Sequence, residues 1–148
     1  MIDYKKVSAV FLFNTKKELA LQLRAADDDS FPSHWDISAG GGIDEGEDNK
    51  ESAERELQEE LGVVGDVSFV CNTHYSYSAW KPGITREADM HIYKIVYDGA
   101  FDVDPAEVEK ADFFSLEAIQ KMIDSEEKFH PEFLEAWKSG LVSKMLDS

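Results

Sequence analysis

A chain of 148 residues with 43% apolar side chains is the size of one domain and long enough to bury a real core. Fifteen basic against 31 acidic side chains leave a formal charge of −16, a field that repels nucleic acid and attracts divalent cations. The single cysteine, Cys71, excludes an internal disulfide; the opening MIDYKKVSAV has no apolar signal core, and no run approaches membrane-spanning length, so a cytoplasmic home away from the membrane is expected.

Residues 5 to 13 are rich in β-branched and aromatic side chains and read as a strand. Asn14 to Lys17 is a polar turn, and Glu18 to Arg24 alternates apolar positions as the hairpin partner. Ala25 to Ser33 is a polar loop carrying an acidic run and Pro32, expected to form a mobile rim. Trp35 to Ala39 leads into glycines 40 to 42, where the backbone can approach a ligand closely or simply turn.

Asp48 is a good helix N-cap, with Glu51 three residues on as in a capping box, and Gly62 is placed to stop the helix in a left-handed conformation. The spacing predicts a helix over 49–61. On it Ala53, Leu57 and Leu61 form one apolar stripe, and Glu56, Glu59 and Glu60 share a neighbouring face. Carboxylates crowded on one face repel one another unless they are well solvated or hold cations. Hard divalent ions take oxygen ligands, and Mg²⁺ binds one or two carboxylates together with substrate phosphates.

Val67 to Tyr77 reads as a strand running into a loop, with Cys71 expected to be a small buried side chain. Ser78 to Glu87 reads as a loop carrying Trp80, Lys81 and Arg86, which could stack a base and hold phosphates or could cap the core. Met90 to Tyr97 alternates as another strand, and His91 on it is expected to be packed or exposed rather than catalytic. Ser115 is a plausible N-cap for a helix whose apolar face is Ile119, Met122 and Ile123. Pro131 suits the start of a last helical region striped by Phe133, Leu134, Trp137, Leu141 and Met145 and interrupted at Gly140. This order of elements indicates an α/β or α+β domain spanning 1–148.

The stretch 41–63, GGIDEGEDNKESAERELQEELGV, carries the chemistry. Glu47 lies six positions after Gly41, Arg55-Glu56-Leu57 begins eight further on, and Glu59-Glu60 and Gly62-Val63 follow. With these residues the chain resembles the Nudix hydrolases, whose box it fills completely. At roughly 7% usage per residue type, a chance match of its fixed identities is on the order of one in 10⁸ at a given start. The resemblance implies an α/β/α sandwich with a mixed β-sheet. It implies the Gly41 carbonyl with Glu56, Glu59 and Glu60 as ligands of Mg²⁺, with Mn²⁺ as the alternative, and Glu47 and Arg55 as the groups orienting those carboxylates. It also suggests Arg24 as a phosphate contact, against the plain alternative of a surface arginine. A carboxylate before the strand ending at Phe114 would act as base or further ligand; Glu107 is the better match and Glu109 its rival.

The expected function is metal-dependent hydrolysis of a nucleoside diphosphate linked to another moiety, with Glu56, Glu59 and Glu107 as catalytic candidates and Arg24, Trp80 and Arg86 as substrate contacts. Nucleoside triphosphates, nucleotide sugars, dinucleoside polyphosphates and prenyl diphosphates are all compatible with the box. Homodimers are frequent among such proteins, and a homodimer is an expectation here. Residues 31–38, FPSHWDIS, are similar to the branch near isopentenyl-diphosphate isomerase. In that register its catalytic cysteine falls on Gly40 and its metal-binding histidine on Gly42, so both chemical groups are missing. A non-catalytic binding module on the same fold is the third reading.

Overall fold

The computed structural model describes all 148 residues. Its elements are β1 (Ile2–Phe13), β2 (Leu19–Arg24), β3 (Trp35–Asp36), β4 (Ala39–Gly42), α1 (Asn49–Leu61), β5 (Ser68–Ser78), β6 (Thr85–Val96), β7 (Val108–Phe114), α2 (Leu116–Asp124), α3 (Pro131–Lys138) and α4 (Leu141–Leu146). The strands form one seven-stranded mixed sheet in the order β3-β2-β1-β6-β5, with β4 on β1 and β7 on β2.

β1 is the spine of this sheet. It runs parallel to β6 from Ile2↔Thr85 to Phe13↔Val96, while its other edge is shared by β2 at Phe13↔Leu19 and by β4 from Val7↔Gly42 to Val10↔Ala39. Side chains of a strand alternate between faces, and β1 uses both. Val7, Ala9, Phe11 and Phe13 enter a core beneath α2, α3 and α4; Val10 and Leu12 enter a second core beneath α1. The chain is therefore an α/β/α sandwich, as the resemblance implied.

The helix α1 has the bounds that its caps dictate. Asp48 accepts from the amides of Lys50 and Glu51, and Gly62 closes the helix at φ +69° with its amide on the Gln58 carbonyl. Only glycine suits that position, because a Cβ there would also lie 2.7 Å from the Asp102 carbonyl oxygen. The expected capping box is half-formed: the Glu51 amide is capped, but the Glu51 carboxylate makes no return bond to Asp48. Ala53, Leu57 and Leu61 are fully buried against the sheet, and Ser52 pairs with Ser8 of β1 at 3.1 Å.

Several boundaries differ from the sequence reading. The glycines 40–42 are not a turn but strand β4, because its backbone pairs with β1. β6 begins at Thr85, within the expected loop, since its long parallel ladder with β1 outweighs the local turn signals. Cys71 is only partly buried, beside a bulge in the β5–β6 ladder. The loop after β2 is tied down rather than free, by Arg24 to Ser30 and Asp28. Gly140 does divide the last helical region, at φ +80°.

Leu57→Ala should destabilise the fold by about 2–5 kcal/mol, read as a lower urea midpoint at unchanged slope; a loss under about 1 kcal/mol would contradict this placement of the α1 core. A second outcome concerns pH. His74 has Nδ1 2.6 Å from Asp89 and Nε2 2.6 Å from Glu87, and these carboxylates raise its pKa above the ordinary 6.5. A histidine raised in the folded state contributes stability below its unfolded pKa and loses it as pH rises through the folded value. The Tm difference between the wild type and His74→Ala should thus be largest at acidic pH and shrink as the imidazole deprotonates. A difference growing with pH would contradict this.

Candidate active site

A cavity of about 360 Å³ opens between α1, β4 and the loops after β2 and β5. Its floor is the glycine strand and the inward face of α1, with Gly40, Gly41, Gly42, Glu56 and Glu60 in its lining. Gly41 lies so close to Glu56 that a Cβ there would stand 2.6 Å from Glu56 Oε1. The bare backbone is what lets this carboxylate lie against β4.

Glu60 is buried, contrary to a well-solvated acidic face. Gln22 Nε2 donates to its Oε1 at 2.5 Å and the Gly40 amide at 3.3 Å. Burial, followed by the neighbouring Glu56, pushes its pKa well above the usual carboxylate range. A cation bound beside Glu60 would offset the cost of burying its charge. Glu59 is half exposed and turned to Arg55, whose Nη1 lies 3.2 Å from its Oε2. No group of three acidic, histidine or cysteine side chains converges to ligand distance. The donors nevertheless suit a hard divalent cation in kind: carboxylate oxygens on one helix face, two of them paired at the cavity floor.

Arg55 binds Glu47 through Nε at 2.7 Å and Nη2 at 3.0 Å, and reaches Glu56 with Nη1 at 3.0 Å. The guanidinium holds the Glu47 carboxyl down at about 2, and its own pKa is held above the ordinary value. Glu47 thus anchors Arg55, and Arg55 orients Glu56 and Glu59.

Glu107, just before β7, lines the cavity opposite this helix. Burial and the facing Glu56 raise its pKa. Both Glu107 and its rival Glu109 are exposed, and of the two only Glu107 lines the cavity.

The expected substrate contacts divide. Arg86 lines the cavity, with one Nη on Asp3 at 3.1 Å and a buried Nε without a partner. Arg24 also lines it, but its guanidinium is engaged by Asp36 at 3.0 Å, Asp28 at 3.2 Å and the Ser30 carbonyl. It pins the loop rather than standing free for phosphate. Trp80 does not line the cavity; it packs on Phe31 and His34 at the rim. Side chains without a signal in the motif complete the walls. Gln22 alternates with Arg24 on the α1 side of β2, a polar position readable from periodicity. His130 and Tyr77 face the cavity beside Phe31, and the Tyr77 hydroxyl donates to Glu132 at 2.5 Å; their contact across 53 residues leaves no local trace.

An uncharacterized Nudix hydrolase of Listeria monocytogenes is 46% identical over 59 residues, 40% of this chain and 35% of its own length. The match thus spans only about a third of that relative. An isopentenyl-diphosphate Delta-isomerase of Serratia proteamaculans is 32% identical over 131 residues, 87% of this chain and 69% of its own. The crystal structure of a MutT protein from Methanosarcina mazei superposes with a TM-score of 0.75 at 18% identity, covering 97% of this chain and 93% of that one, a likeness of fold. The profile of the NUDIX domain matches residues 3–137, nearly the whole sheet and its helices, and the chain belongs to the Nudix family.

Proposed function

We propose that this chain hydrolyses the diphosphate bond of a nucleoside diphosphate linked to another moiety, by attack of water on phosphorus. The observation that carries this reading is the Glu56–Glu60 pair on a cavity floor of bare glycine backbone, held by Arg55 and Gln22. Glu56, Glu59 and Glu60 would hold Mg²⁺ or Mn²⁺. A bound ion of this kind neutralises phosphate oxygens and lowers the pKa of the attacking water. The chain's own groups do the rest. The open backbone at Gly40–Gly42 lets the diphosphate approach, and Arg86 offers a buried donor at the far wall. Glu107, raised by burial and by Glu56, accepts the proton as the water oxygen bonds to phosphorus and the bridging P–O bond breaks.

The isomerase reading meets a steric objection. A Cβ on Gly40 would lie 2.6 Å from the Ser8 carbonyl oxygen and 3.2 Å from the Ala9 Cα, both backbone atoms of β1. The site lacks the cysteine and the space for one.

The function is tested by product release from a panel of diphosphate compounds, including isopentenyl diphosphate, with and without Mg²⁺. Metal-dependent cleavage of one class is expected. Double-bond migration would support the isomerase reading instead, and silence across the panel from folded protein would support a binding module. On the cleaved substrate, Glu56→Gln and Glu60→Gln should each lower kcat by at least about 100-fold, more than an outer-shell change would. Retention of rate in either variant, with the fold intact by circular dichroism, would remove the helix carboxylates from the mechanism. Gly41→Ala should push Glu56 aside and cost about 10–100-fold in activity or metal affinity. Wild-type behaviour of that variant would show that the contact between β4 and Glu56 is unimportant.

A further inference from the structure

Edge strands expose unpaired backbone donors and acceptors, and proteins blunt them with charge, proline, bulges or a covering segment. The edge strand β7 follows this rule, with Glu109, Lys110 and Asp112 among its seven residues. The opposite edge, β5, does not. It runs for 11 residues, SFVCNTHYSYS, without Asp, Glu, Lys, Arg or Pro, in a chain that is 31% charged. Its one bulge lies at its beginning, between Phe69 and Cys71. No turn, loop or side chain bonds to its outer backbone.

The direction of those free groups follows from the register. Ala79 donates its amide to the Ile84 carbonyl, and β5 then pairs with β6 as Tyr77↔Arg86, Tyr75↔Ala88 and Thr73↔Met90. Hydrogen-bonded pairs alternate in an antiparallel ladder. Thr73, Tyr75 and Tyr77 therefore turn their amides and carbonyls inward to β6. Asn72, His74, Ser76 and Ser78 turn theirs outward, and these four also have exposed side chains.

We propose that this edge pairs antiparallel with β5 of a second copy of the chain, about a two-fold axis at Tyr75. Centring there sets His74 opposite Ser76 and Asn72 opposite Ser78, on both sides of the axis. That gives about eight backbone hydrogen bonds between copies, two per bonded pair. Centring on His74 would instead face two imidazoles that each stand among carboxylates. A second copy suits this edge because the ladder is self-complementary and because β5 brings no carboxylate of its own to a contact between two chains of charge −16. The carboxylates nearest the edge, Glu87 and Asp89, are each held by His74. The pairing would join two sheets into one of 14 strands, twice the seven of one chain.

Sedimentation of the full chain between about 1 and 100 µM tests this across the micromolar range. The wild type should reach twice the 16.7 kDa chain mass. Ser76→Pro removes an outward amide and leaves the β6 ladder intact, so it should stay monomeric. Asn72→Glu with Ser78→Glu sets like charges directly opposite at both ends and should do the same if the proline variant fails to fold. Amide exchange in the wild-type dimer should slow at residues 72, 74, 76 and 78 relative to the glutamate variant. A wild type that remains monomeric, a variant that still dimerises, or unchanged exchange at those amides would each overturn the proposal.

Discussion

The site depends on keeping two carboxylates, Glu56 and Glu60, close together where water is scarce. Their mutual repulsion and the cost of burying Glu60 both oppose it. What opposes that repulsion comes from three directions. Arg55 reaches Glu56 from the same helix while anchored to Glu47, Gln22 donates to Glu60 from β2, and the Gly40 amide donates from β4. Each partner lies on a different element, so the carboxylate pair forms only when the sheet and helix are assembled. An isolated α1 would carry the same glutamates and no site.

The scaffold reflects that demand. The face of α1 adjoining the carboxylates is its apolar stripe, and Leu57 next to Glu56 is buried on the α1 core. Packing thus fixes the rotation of the helix that the site requires. Glycine at 41 has a matching role: the strand approaches the helix closely enough to touch a carboxylate, and any side chain there would meet Glu56. Stability and function share these contacts.

Legibility in the sequence followed the range of the interactions. The α1 bounds were readable because Asp48 and Gly62 act through hydrogen bonds within a turn of the helix. The stripe and the acidic face were readable because they repeat with the helical period. β4 was not, since glycine has no strand preference and the element exists only by pairing with β1. The commitments of Arg24 were hidden for a related reason: Asp28 and Asp36 surround it only after the loop folds back, so a cation at a strand end read as free. Trp80 read as a loop aromatic open to ligand, and tertiary packing against Phe31 and His34 used it at the rim.

The charge of the cavity bears on the proposed metal dependence. Its lining holds seven carboxylates, from Asp28, Asp29, Asp36, Glu56, Glu60, Glu107 and Glu132, against the three cations Lys5, Arg24 and Arg86. Arg24 is already neutralised by two of those carboxylates, and Arg86 is shared with Asp3. A diphosphate entering this space unaided would meet net repulsion in a medium where charges are poorly screened. Cations on the helix carboxylates, as proposed, would reverse the sign of the floor and leave the rest of the lining acidic. The same acidity argues against a second anionic group on the far side of the substrate. The largely polar lining, with 7 hydrophobic residues of 24, argues equally against a long prenyl chain.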